Sequence, residues 1–205
     1  MRDGFYELDT PGALITHWGL MVERELDSPI WIKQVRGASE PFIVDVGANH
    51  GAFVLRCLRI NPNAFVQAIE PQAGLTDRLY CVGAREVFCA AAGAAHRYAY
   101  LYSQGTGDVC ASLYPTKGED TQQDGVCINP LDAMVEDRVV DVLKIDAEGH
   151  GIQVLEGASN TLENTQVVLI ELTTRKEVLR ADKLLKAFPY HVQLSPIDYL
   201  WAKAI

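Results

Sequence analysis

Pro41-Phe-Ile-Val-Asp-Val-Gly-Ala-Asn-His-Gly51 decides the fold of this chain. Phe42 to Val46 is a short run of aromatic and β-branched residues, which suit a pleated, buried surface. Asp45 is its one polar interruption. Gly47 ends the run in a turn, and Gly51 opens an apolar segment that reads as a helix to Ile60. Asn61-Pro-Asn63 stops that helix. Strand, glycine turn and helix in this order form the opening of a βαβ unit.

The same alternation continues outward. Phe65–Ile69 reads as a second strand closed by Glu70-Pro71, Gln72–Cys81 as a helix, and Val87–Ala92 as a third strand. Val139–Ile145 is a further strand ending in Asp146-Ala-Glu-Gly149, with Ile152–Leu155 in the helix behind it. Val167–Leu172 and Lys176–Ala187 add another strand and helix. None of these strands alternates strictly with polar residues, as expected for a parallel sheet covered on both faces. Residues 98–131 break the rhythm. Tyr98–Tyr102, Val109–Tyr114 and Val126–Ile128 read as short strands of an inserted antiparallel element. His191–Leu194 and Tyr199–Ala202 have only a turn between them and must pair as a hairpin. The expectation is an α/β, doubly wound, mostly parallel sheet ending in an antiparallel hairpin. On the other side of Pro41, Ala13, Leu14, Trp18, Met21 and Val22 recur at helical spacing. One domain over 1–205 is expected, with a helical segment over 1–40 and the core over 41–205.

Composition narrows the function. The 205 residues include 18 Lys and Arg against 27 Asp and Glu, a formal charge of −9. That balance argues against a nucleic-acid partner, which needs a basic footprint. No apolar run approaches the roughly 20 residues that span a bilayer. The apolar stretch Ala13–Val22 follows acids rather than a basic segment, so no signal peptide is expected and the cytoplasm is the predicted location. The five cysteines form no Cys-x-x-Cys pair and are expected to be reduced and mostly buried. No ligand spacing argues for a metal.

Ligands of open α/β sheets bind at the carboxyl ends of the strands, where Asp45 and Glu70 both fall. The glycine spacing is Gly-x-x-x-Gly, not the Gly-x-Gly-x-x-Gly that cradles a pyrophosphate. An acid beside the turn would repel a pyrophosphate and suits a zwitterion such as the methionine half of S-adenosylmethionine. Glu70, 25 residues after Asp45, can accept from both ribose hydroxyls.

Val44–Gly51, Ile69-Glu-Pro71, Leu143-Lys-Ile-Asp-Ala-Glu-Gly149 with Val154-Leu-Glu-Gly157, and Leu169-Ile-Glu171 resemble the FkbM-type S-adenosylmethionine-dependent methyltransferases. The resemblance covers about residues 41–173. It implies a class I methyltransferase fold and, in many members, O-methylation of sugars or natural products. By it, Asp45, Gly47, Ala48, Asn49, Gly51, Glu70 and Pro71 would hold the cofactor. Ala91–Gly93 stands at the adenine-side loop, with Ala92 in contact, although Ala94 replaces the acid often found next. Ser112, in Ala-Ser-Leu113, and Glu171 would line the acceptor side.

Methyl transfer from a sulfonium asks the protein to align a nucleophile, exclude water and take a proton. Asp146, Glu148 and His150 follow the fourth parallel strand, beside the expected methyl group. His150 is the expected proton acceptor, kept neutral by the helix N-terminus, with Asp146 or Glu148 orienting it or Asp146 contacting the cofactor. The acceptor expected is a small molecule with a hydroxyl. A non-catalytic module of the same fold and a nucleotide-dependent oxidoreductase are the rival readings. The glycine spacing and the closing hairpin weigh against the oxidoreductase.

Overall fold

The structure is a computed structural model that describes residues 28–115, 121–188, 190–194 and 198–203. The helix expected over Ala13–Val22 lies outside the described residues. Helix α1 (Pro29–Gly37) begins with Ser28 as N-cap and Pro29 in its first turn, where a missing N–H costs nothing. It buries Trp31 and Val35, and Trp31 packs on Phe53 with ring centroids 5.2 Å apart.

The alternation expected from the sequence follows: β1 (Phe42–Val46), α2 (Ala52–Ile60), β2 (Phe65–Ile69), a 3-10 turn (Ala73–Leu75), α3 (Thr76–Val82) and β3 (Glu86–Phe88). The chain then makes β4 (Ala91–Ala92), β5 (Arg97–Ser103), β6 (Gln122–Asn129) and α4 (Leu131–Val135). It continues with β7 (Val140–Ile145), α5 (Gly151–Glu156), α6 (Ser159–Glu163), β8 (Thr165–Glu171) and α7 (Arg175–Leu185). It closes with β9 (Tyr190–Leu194) and β10 (Asp198–Lys203).

Seven strands form one sheet in the order β3-β2-β1-β7-β8-β10-β9. The strands from β3 to β8 pair in parallel, and β10 runs antiparallel to both β8 and β9. This is the doubly wound sheet with its terminal hairpin. Both faces are dry. Val44, Val46, Leu143, Ile145, Val168 and Ile170 pack on one side with α4, α5, α6 and α7. Ile43, Val66, Ala68, Val142, Val167 and Leu169 pack on the other with α1, α2 and α3. Each strand therefore sends alternate side chains into two apolar layers, which removes the polar alternation from its sequence.

Three details differ from the expectation. Val87–Ala92 is not one strand: the chain leaves the main sheet after Phe88 and enters a second sheet, ordered β4-β6-β5, at Ala91. Residues 109–114 form no strand and contribute one antiparallel bridge, Tyr102 to Ser112. Only Cys57 of the five cysteines is buried, and all are free thiols.

Candidate active site

The turns after β1, β2 and β7 meet at one edge of the sheet. Gly47 has φ +72°, and a Cβ there would stand 1.7 Å from the carbonyl oxygen of Asp146. Only glycine lets the β1 turn and the β7 turn lie this close. Gly51 has φ +82°, and a Cβ would press to 2.5 Å on a Val82 methyl. The two glycines of the Gly-x-x-x-Gly spacing thus serve different contacts, one across the sheet and one between α2 and α3. Ala48 is buried in the α2-side core.

Asp45 is wholly buried, and its Oδ1 lies 3.0 Å from Nζ of Lys144, its register partner on β7. The same ammonium donates to the Gly47 carbonyl at 3.0 Å and lies 3.5 Å from Asp146 Oδ2. Burial alone would lower the Lys144 pKa, but Asp45 and Asp146 more than offset it and hold the ammonium charged. Lys144 falls within the Leu143–Gly149 segment, where the sequence alone points to no role for it. Its register opposite Asp45 becomes visible only when the two strands pair.

Glu70 is also buried. Its Oε2 accepts from the Asn49 N–H at 2.8 Å and its Oε1 from the Gln72 N–H at 2.9 Å. Burial pushes its carboxyl above the ordinary range, and the two N–H donors pull against that. Pro71, half-buried, joins Glu70 to Gln72. Asn49 adopts φ +44° and sends its side-chain amide to the Asp108 carbonyl at 3.2 Å. Gln72 grips the same peptide: its Nε2 donates to the Asp108 carbonyl at 3.0 Å, and its Oε1 accepts from the Gly107 N–H at 2.7 Å. His50 Nε2 lies 3.0 Å from the Gly107 carbonyl. Asn49, expected on the cofactor, therefore carries a strap, residues 104–111, across this edge. Asp108 stiffens the strap by accepting from Gln104 and Cys110 N–H.

On the acceptor side, carboxylate oxygens of Asp146, Glu148 and Glu171 all lie within 4.8 Å of one another. Two strand ends bring them together, so a grouping able to hold a cation exists that sequence spacing did not show. Glu148 and Gly149 have φ +40° and +81° in a turn closed by the His150 N–H on the Ala147 carbonyl at 2.9 Å. A glutamate in the left-handed region is uncommon, and such strain gathers at functional sites. Burial, then the Asp146 and Asp108 carboxylates, push the Glu148 carboxyl above its ordinary range.

Three of the expected site residues are engaged or enclosed by their neighbours. The Ser112 hydroxyl donates to the Glu148 carbonyl at 3.0 Å, so it braces the acidic turn rather than offering itself to an acceptor. Ala92 is buried in the core and pairs with Asn129 in the small sheet. His150 is 1% exposed, with Nδ1 3.3 Å from the Tyr114 hydroxyl. A Cβ on Gly93 would stand 3.1 Å from its Nε2. The ring is neutral, its pKa lowered to about 4, chiefly by burial and then by Arg97. The cause is the packing, not the short helix behind it.

Residues 45–192 match the model of the methyltransferase FkbM domain. The chain belongs to the FkbM methyltransferase family. It is 26% identical over 188 residues to the hexuronic acid methyltransferase AglP of Haloferax volcanii, covering 87% of this chain and 70% of that protein. The fold matches a precorrin-6y C5,15-methyltransferase of Geobacter metallireducens with a TM-score of 0.52. Identity there is 14%, over 85% of this chain and 86% of that one. It also matches an O-methyltransferase family protein of Burkholderia thailandensis with a TM-score of 0.51 at 13% identity, over 95% of this chain and 58% of that one. This FkbM protein is a methyltransferase that uses S-adenosylmethionine. The site is compatible with that cofactor: each Glu70 oxygen accepts one N–H, which leaves acceptor capacity on both oxygens. The acids of the β7 and β8 turns suit a sulfonium and repel a pyrophosphate. Among the described residues no helix is long and apolar enough to cross a membrane.

Proposed function

We propose that this FkbM protein methylates a hydroxyl on a small, sugar-like acceptor. The observation that carries this reading is the cluster of Asp146, Glu148 and Glu171 at the same sheet edge as Glu70. Bound S-adenosylmethionine supplies an activated methyl group and its own leaving group. Glu70 holds the nucleoside, and Gly47 lets the β1 turn lie against the β7 turn beside it. Asp146 faces the methionine portion. Glu148, whose raised pKa makes its carboxylate a stronger base than an ordinary one, accepts the proton of the acceptor hydroxyl. Glu171 orients the acceptor from the neighbouring strand end. His150 is closed beneath Tyr114 and supports the turn from behind.

The activity of the Haloferax relative on a hexuronic acid supports a sugar as acceptor class. The test incubates the protein with S-adenosylmethionine and a panel of neutral hexosides, hexuronic acids and hydroxylated aromatics. S-adenosylhomocysteine release and a product heavier by one methylene are expected with the sugars. Methylation confined to an amine acceptor would reject the reading.

A further inference from the structure

We propose that Lys144 is the positioning residue of the cofactor site, tying the β1 turn to the β7 turn and holding the Asp146 carboxylate at the crevice. The inference rests on the reading that Asp146 serves the cofactor. Lys144 projects from β7 to the α2 side of the sheet, 5.9 Å from the Phe53 ring centroid, and is 6% exposed. An ammonium has three N–H donors and no acceptor. Three oxygens lie around this one: Asp45 Oδ1 at 3.0 Å, the Gly47 carbonyl at 3.0 Å and Asp146 Oδ2 at 3.5 Å. Gly47 and Asp146 belong to the turns that approach each other at Gly47, and Asp45 stands on β1 two residues before that glycine.

The three contacts have unequal tasks. Asp45 is 0% exposed, and neither of its oxygens has an aligned hydrogen-bond donor. The charge of Lys144 offsets part of the cost of that burial, which still leaves the Asp45 carboxyl above its ordinary range, and with no exposed surface Asp45 anchors the ammonium and does not itself reach a ligand. The Gly47 carbonyl fixes the height of the β1 turn. Asp146, whose side chain is 37% exposed, is the member that faces outward. Lys144 lies closer to Asp45 than to Asp146, which leaves the Asp146 side chain turned toward the crevice. A buried ion pair is weak evidence of stabilisation and better read as a device that specifies geometry.

The test is a cycle of variants read by calorimetric titration with S-adenosylhomocysteine. Lys144→Met and Asp146→Asn should each weaken binding by about ten-fold or more, the usual cost of losing a hydrogen bond to a charged group. The double variant should bind no worse than about three-fold below the weaker single one, because both changes remove the same arrangement. If its loss equals the product of the single losses, Lys144 does not act through Asp146 and the proposal is overturned. Normal affinity in Lys144→Met beside weakened Asp146→Asn overturns the proposal alone. Normal affinity in Asp146→Asn overturns the reading of Asp146 as a cofactor residue, and the proposal with it.

Lys144→Met orphans a buried carboxylate and could fail to fold. In that case the cycle is run with Asp45→Asn, which removes the charge and keeps the shape. Asp45→Asn alone loosens the anchor of Lys144 and should weaken S-adenosylhomocysteine binding by about three-fold or more; wild-type affinity there overturns the arrangement. In Asp45→Asn/Lys144→Met, thermal stability should recover while affinity stays low. Recovery of both would make Lys144 a charge partner of Asp45 and nothing more.

Discussion

Replacing Gly47 with alanine tests the geometry on which the site depends. The new Cβ would lie 1.7 Å from the Asp146 carbonyl oxygen, and that atom is backbone, so no rotamer change relieves the clash. Ordinary contact needs about 3.5 Å, so the β7 turn must retreat by more than about 1.5 Å. The φ of +72° adds roughly 1–2 kcal/mol for an L-residue in the left-handed region. Overpacking against an immobile neighbour adds about 1–3 kcal/mol. A combined loss of about 2–5 kcal/mol lowers Tm by roughly 5–15 °C in a chain of this size. Affinity for S-adenosylhomocysteine should fall with it, because the moved turn carries Asp146. Gly37→Ala is the control: nothing lies within 4 Å of its Cβ and its φ is ordinary. There the change should be neutral or stabilising by up to about 1 kcal/mol. Scanning calorimetry and titration of both variants check this. A Gly47→Ala protein with wild-type Tm and affinity would refute the reasoning.

Gln72→Ala removes two of the four side-chain bonds that grip the strap, so the amides of residues 104–111 should exchange hydrogen at least about ten-fold faster, by mass spectrometry, with Tm little changed. His150 should keep the carbon shifts of a neutral ring from pH 8 down to pH 5. Its pKa of about 4 is lowered relative to the unfolded chain, so it subtracts stability as pH falls from about 6.5 toward 4. An NMR titration with a midpoint near 6.5 would contradict its burial. Thr174→Ala breaks the capping box of α7, in which Thr174 and Glu177 exchange hydrogen bonds, and should cost about 1 kcal/mol without altering nucleoside affinity.

The main sheet was legible because its strands are short apolar runs punctuated by Gly47, Pro62 and Gly149, each at a real turn. The switch of sheets after Phe88 was not, since Ala90, Ala91 and Ala92 continue the apolar run and are equally buried in their new surroundings. Glu70 was readable as a strand-end acid. The environment of Asp45 was not: its charge suggested a ligand, while its burial makes it the partner of a lysine nearly a hundred residues away. His150 misled for the same reason. Its place after Gly149 suggested a proton acceptor, and only the fold brings Tyr114 and Gly93 over it. The carboxylate trio joins residues from two strands and has no local signature.

The strap across the site is gripped through its main chain. Asn49, His50 and Gln72 reach the N–H and carbonyls of Gly107 and Asp108, not their side chains. Gly107 itself is constrained, because a Cβ there would meet the His50 ring at 2.7 Å. Thr106, Val109 and Cys110 are exposed beside it and take no part in the grip. A clamp that ignores side-chain identity leaves the path of the loop independent of what stands at Val109 and Cys110, whereas Thr106 packs against Gly74; the first two are therefore the positions to randomise in a search for altered acceptor choice.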